Sequence, residues 1–70
     1  MTLDEVATGS VVGIKKIPDG PAKASLIRMG ITEGARVICK LNIPYGPVVL
    51  RCHRHEIAIG RKLARSIVIE

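Results

Sequence analysis

The stretch "VVLRCHRHEIAI", residues 48–59, decides the fold. Its first half alternates, with Val48, Leu50 and Cys52 on one face of an extended chain and Val49, Arg51 and His53 on the other. Its second half resumes the pattern, with Ile57 and Ile59 in phase. Two half-buried strands meeting at a short polar turn make a β-hairpin. A second reading competes, because Cys52, His53 and His55 fall within four residues. Zinc sites use four N or S ligands at paired spacings such as C-x2-C and H-x3-H. Here the spacing is C-H-x-H, and the other cysteine, Cys39, lies thirteen residues earlier. Neighbours along a strand point to opposite faces, so Cys52 and His53 are not expected to hold one ion together. Cys52, His53 and His55 stand as metal-ligand candidates only, and no metal or cofactor is assigned. Cys39 and Cys52 have a sufficient reason to be core residues, since a free cysteine behaves as a small hydrophobe.

Upstream, "ARVICKLNI", residues 35–43, repeats the period of two. Val37, Cys39 and Leu41 are expected inward, and Arg36, Ile38 and Lys40 outward. Between the two patterns, "PYGP", residues 44–47, is a loop. Further back, "SVVGIKKI", residues 10–17, is a strand whose apolar residues change phase around Gly13, the mark of a bulge or bend. "PDGP", residues 18–21, is a turn, and Pro21 suits the first position of a helix. "AKASLIRM", residues 22–29, carries one apolar stripe, Ala22, Leu26 and Met29. Gly30 followed by apolar Ile31 is the stop signal of a Schellman motif. Downstream, "GRKLA", residues 60–64, reads as one helical turn, and "SIVIE", residues 66–70, as a last strand with Ile67 and Ile69 in phase.

Short strands in a small chain leave vulnerable edges unless the sheet curls on itself. The expected fold is therefore mainly β: one domain over residues 1–70, a small SH3-like β-barrel of about five strands. One short helix follows the first strand, and a single helical turn precedes the last.

Composition narrows the functions. The chain has 70 residues, 47% of them apolar, with one tyrosine and no Phe or Trp. Its core must come from aliphatic side chains. The acidic start "MTLDEVATG" lacks the basic region of a signal peptide, and no apolar run approaches a membrane span. Two cysteines without a secretory signal point to a reducing cytoplasm. The net charge of +5 suits an anionic partner, but the bases are scattered. Binders of single-stranded nucleic acid also need aromatic platforms, so no nucleic-acid partner is expected. No phosphate loop occurs, no serine has an evident histidine base, and the acids are spread along the chain. The expectation is a protein that is not an enzyme. A transition-metal carrier using the Cys and His residues, and a basic barrel that binds nucleic acid, are the alternatives.

The ordered set "LIRMGITEGARV", "IPYGPVV" and "IAIGRKLARSIVI" resembles the FeoA family of ferrous iron transport proteins, with Met29, Gly30, Ile31, Gly34, Pro44, Gly46 and Pro47 at matching places. The resemblance covers about residues 3–69, and the same module resembles the C-terminal domain of metal-dependent repressors. No DNA-binding domain precedes it here, so a stand-alone protein is expected. The resemblance implies an SH3-like barrel and a non-catalytic cytoplasmic protein supporting ferrous iron uptake. The implied partner is FeoB, a membrane permease carrying a GTPase, and membrane association comes only through it. Two features depart from the family pattern: Arg54 stands where the hairpin turn often has Gly, and the Cys/His group has no family counterpart.

Two surfaces are expected to meet the partner. One is the outer face of the helix, Lys23, Ile27 and Arg28, where an apolar residue lies between two bases. The other is the loop Pro44, Tyr45 and Pro47, which holds the sole aromatic, a residue type enriched at interfaces.

Overall fold

A computed structural model describes residues 1–70. Five strands form one antiparallel sheet: β1 (Val11–Lys16), β2 (Arg36–Asn42), β3 (Val48–Cys52), β4 (His55–Ile59) and β5 (Val68–Ile69), in the order β4-β3-β2-β1-β5. Helix α1 (Pro21–Arg28) follows β1, helix α2 (Arg61–Ala64) precedes β5, and a 3-10 turn (Leu3–Glu5) opens the chain. The sheet curls into the small SH3-like barrel that the alternating pattern predicts.

Sixteen apolar residues form the interior, and no polar or charged side chain is buried with them. Val37, Cys39, Val48, Leu50, Cys52 and Ile59 supply it from β2, β3 and β4, all within 3% of complete burial. Each large aliphatic side chain removed from water in this way contributes about 1.5–3 kcal/mol. Both cysteines are free and inward, as the alternation requires. Burial pushes the Cys39 thiol pKa up, so it stays protonated and unreactive.

Helix α1 begins at Pro21 and ends in a complete Schellman motif. The Ile31 amide donates to the Leu26 carbonyl at 2.9 Å and the Gly30 amide to the Ile27 carbonyl at 3.0 Å. Gly30 takes φ +86°, and the apolar pair Leu26 and Ile31 is buried beside it. The predicted stripe is weaker than expected, for Leu26 is buried while Ala22 and Met29 are half-buried.

Two bulges alter the sequence reading. Cys39 pairs with Leu50, but Leu41 pairs with Val49, so Lys40 is an extra residue and the register shifts there. Leu41, expected inside, therefore turns out and is 51% exposed. The second bulge lies between Ile14 and Lys16, where β1 meets β5, and it brings Ile17 back into the core. It falls at Lys15 and not at Gly13. Gly13 answers a different need, since a Cβ there would lie 3.1 Å from the Glu70 carboxylate.

The last strand is shorter than residues 66–70, because the Ser66 and Ile67 amides bond back to the Leu63 and Ala64 carbonyls. The start of the chain covers the outer edge of β5. Thr2 bridges Val68, the Leu3 amide donates to the Ile67 carbonyl, and the Ile69 amide donates to the Met1 carbonyl. Strand β4, at the other end of the sheet, pairs only with β3.

Candidate functional site

The loop between β2 and β3 carries Tyr45 at its tip. Tyr45 is fully exposed and adopts φ +60°, a conformation costing an ordinary residue about 1–2 kcal/mol. The loop is held from below by Arg61, the first residue of α2. Its Nε donates to the Gly46 carbonyl at 3.0 Å, its Nη1 to the Asp4 carbonyl at 3.2 Å, and its Nη2 to the Ile43 carbonyl and the Asn42 Oδ1, both at 2.6 Å. The Asn42 Nδ2 in turn donates to the Asp4 and Val6 carbonyls at 3.0 and 2.7 Å. One guanidinium and one amide thus tie the loop, the N-terminal turn and α2 together. Gly46 has no room for a side chain, since a Cβ would meet Ile43 at 2.9 Å.

Sequence reasoning missed Arg61 and Asn42. One signal was available: a base at the first residue of a helical turn sits at the wrong end of the helix dipole, so its reason lies elsewhere. The loop residues Pro44 and Tyr45 are exposed and Pro47 is half-buried.

On α1, Ile27 (47% exposed) and Arg28 face solvent. Lys23 is half-buried between two carboxylates, 3.5 Å from Asp19 and 3.7 Å from Glu33. Its charge is engaged within the molecule. Glu33 also accepts the Ile17 amide at 3.0 Å, and that bond, with Lys23 second, holds its carboxyl pKa below the usual range.

The hairpin turn corrects two expectations. The positive φ falls on His53 (+57°) and not on Arg54. Histidine is one of the residue types that tolerate it better. That kink also turns the imidazole back. Cys52 and His53 do not point apart: a Cβ on Gly30 would lie 3.3 Å from His53 Cδ2 and 3.6 Å from Cys52 Sγ, so both side chains border the end of α1. The Cys52 thiol donates to the Gly30 carbonyl at 3.4 Å. His55 pairs with Cys52 across the hairpin and is exposed. No three His, Cys, Asp or Glu side chains converge on a point anywhere in the chain, and no pocket indents it.

These features define a small SH3-like barrel that presents side chains on its outer surface. The family model described as "FeoA domain" matches residues 1–70, so the chain belongs to the FeoA family. Membership makes it a small protein associated with ferrous iron transport, in a family of accessory proteins that is not a known enzyme family. Among curated proteins none matches the chain. A crystal structure titled iron uptake regulatory protein (FeoA) is similar, at 28% identity and a TM-score of 0.86, over 100% of this chain and 95% of that one. An FeoA-like protein from Clostridium acetobutylicum is 25% identical with a TM-score of 0.80, over 100% and 84% of the two chains. FeoA from Chlorobium tepidum shares the fold at 24% identity and a TM-score of 0.87, over 100% and 69%. No helix is long and apolar enough to cross a membrane.

Proposed function

We propose that this protein supports ferrous iron uptake without catalysis, as a cytoplasmic adaptor that docks on the inner side of the GTPase-bearing iron permease, a protein of the FeoB type. Family membership supplies the transport context. The single observation that carries the adaptor reading is Tyr45. The only aromatic of the chain is fully exposed, in a costly backbone conformation, on a loop held by two hydrogen bonds from Arg61 and by a third to Asn42 at its base. Backbone strain maintained on an exposed tip favours a role in contact, and a rigid aromatic loses little entropy on binding. Ile27 and Arg28 offer a second contact on α1, and the half-buried Lys23 and Pro47 complete the two surfaces in this reading.

The test is a binding titration of the full chain against the soluble cytoplasmic portion of the permease. Tyr45→Ala and Ile27→Asp are each expected to weaken it about tenfold or more. Unchanged affinity in both variants would remove these surfaces from the interface.

A further inference from the structure

The extra residue at Lys40 has a consequence on the outside of the barrel. By turning Leu41 outward, the bulge places it in a cross-strand row with Val49 of β3 and Ala58 of β4. The neighbouring outer row runs from Val11 of β1 through Ile38 of β2 to Arg51 and Glu56. Ile38 and Val49 are diagonal neighbours on that face, close enough for their side chains to meet. Val11 is 54% exposed, Ile38 40% and Leu41 51%, although each is an aliphatic residue within a strand. Scattered apolar residues on a surface are ordinary, but a contiguous band across three strands marks an interaction site. Bulges commonly re-aim side chains beside such sites.

Charge identifies the occupant. Ile38 is surrounded by bases: Arg36 two residues before it, Lys40 two residues after, and Arg51 directly across the strand pair. None of the three makes an ion pair, since both ion pairs of the molecule belong to Lys23. Two carboxylates share the face, Glu56 at the end of the Arg51 row and Glu70 over Gly13. A uniformly anionic lipid surface would meet both of them, whereas a peptide can set its charges one by one.

We propose that the outer face of β1, β2 and β3 is a docking surface for a protein segment that alternates apolar and acidic residues, its apolar side chains on Val11, Ile38, Leu41 and Val49 and its carboxylates on Arg36, Lys40 and Arg51. This rests on the reading that the protein works by protein contact, and it adds a face distinct in sequence from α1 and the Tyr45 loop.

The first experiment is an amide-shift titration of the full chain with a short blocked peptide alternating Val and Glu. A peptide alternating Val and Lys and phosphatidylglycerol vesicles serve as comparisons. Shifts confined to β1, β2 and β3 with the acidic peptide, weakening as salt is raised, are expected. Ile38→Asp and Arg51→Glu should each reduce the affinity about tenfold, with unchanged spectra elsewhere showing that the variants fold. Absent shifts, equal response to the Lys peptide, shifts centred elsewhere, or stronger binding to vesicles would each overturn the proposal. The second experiment repeats the permease titration with Ile38→Asp. Loss of affinity there supports this face as part of the interface. Full retention by Ile38→Asp with loss in Tyr45→Ala overturns this face for the permease and leaves the adaptor reading standing. No binding by the unaltered chain removes the permease as partner, and the peptide titration still decides the face.

Discussion

Tyr45 and His53 are the two residues other than glycine held at positive φ, and the molecule secures them by opposite means. The loop under Tyr45 is fixed by polar bonds from a distant side chain, sixteen residues away at Arg61, while Tyr45 itself touches solvent. At His53 the residue itself folds back, its ring lying over Gly30 beside the Cys52 thiol. In one turn the scaffold serves an exposed side chain. In the other the side chain leans back on the scaffold, its ring close to Gly30 at the end of α1, although the residue as a whole stays exposed. A strained backbone alone therefore does not separate a contact residue from a packing residue; what the side chain does next separates them.

The largest test of this contrast is Arg61→Ala. It removes a charged donor from three carbonyls and the Asn42 amide oxygen, and about 2–3 kcal/mol of stability should go with it. In a domain of this size that lowers Tm by about 10–20 °C, measurable by thermal or urea unfolding. Arg61→Lys should recover only part of the loss, because an ammonium cannot reproduce the planar fork. Equal stability of Arg61→Ala and the unaltered chain would mean the loop is held by its own turn chemistry.

Next in size is Gly30→Ala, expected to cost about 1–2 kcal/mol through its φ of +86°, and more if the His53 ring cannot move from 3.3 Å. His53→Gly should recover part of that cost in the double variant. A double-mutant cycle with no coupling would show that the ring does not bear on the helix end.

Smaller still is Tyr45→Gly, which should raise stability by about 0.5 kcal/mol, the relief of a left-handed conformation less the greater freedom of an unfolded glycine. His53→Gly alone should come out near zero, since histidine gains a smaller relief there and that relief is offset by the lost contact over Gly30. If the two glycine variants behave alike, the contrast between the turns fails.

The smallest effect concerns Glu33, whose carboxyl pKa is lowered by the Ile17 amide and then by Lys23. A group with a lowered folded pKa contributes stability above its unfolded value, about 4.3, and loses that contribution as pH falls through the folded value. Glu33→Gln should therefore flatten the acid side of the stability–pH curve by lowering stability slightly at neutral pH, leaving it nearly unchanged at a pH below the folded value. An unaltered acid limb would show that Glu33 titrates alike in both states.

Much of the barrel was legible because its rules are local. The alternation over Val48, Leu50 and Cys52, the Pro21 start and the Gly30 and Ile31 stop of α1 each depend on residues within a few positions of one another. The same holds for the inward thiols, which follow from phase alone. Leu41 was misplaced because a bulge depends on where the partner strand's hydrogen bonds fall, and β3 arrives only after a loop. The orientation of His53 was misjudged for a related reason: a period of two applies to extended backbone, and the turn leaves it. Of the proposed contact residues, Ile27, Arg28, Pro44 and Tyr45 do lie exposed, whereas the charge of Lys23 is already engaged.

The sequence by itself settled the class of structure and much of its interior, because periodicity and burial are largely properties of a chain segment and its neighbours. Tertiary structure alone decided which outer residues are available to a partner. It drew Arg61 under a loop that ends fourteen residues earlier, turned Leu41 out to join Ile38 and Val49, and set three bases around them that make no ion pair. Such groupings bring together residues far apart along the chain, and only the closed sheet sets the distances between them.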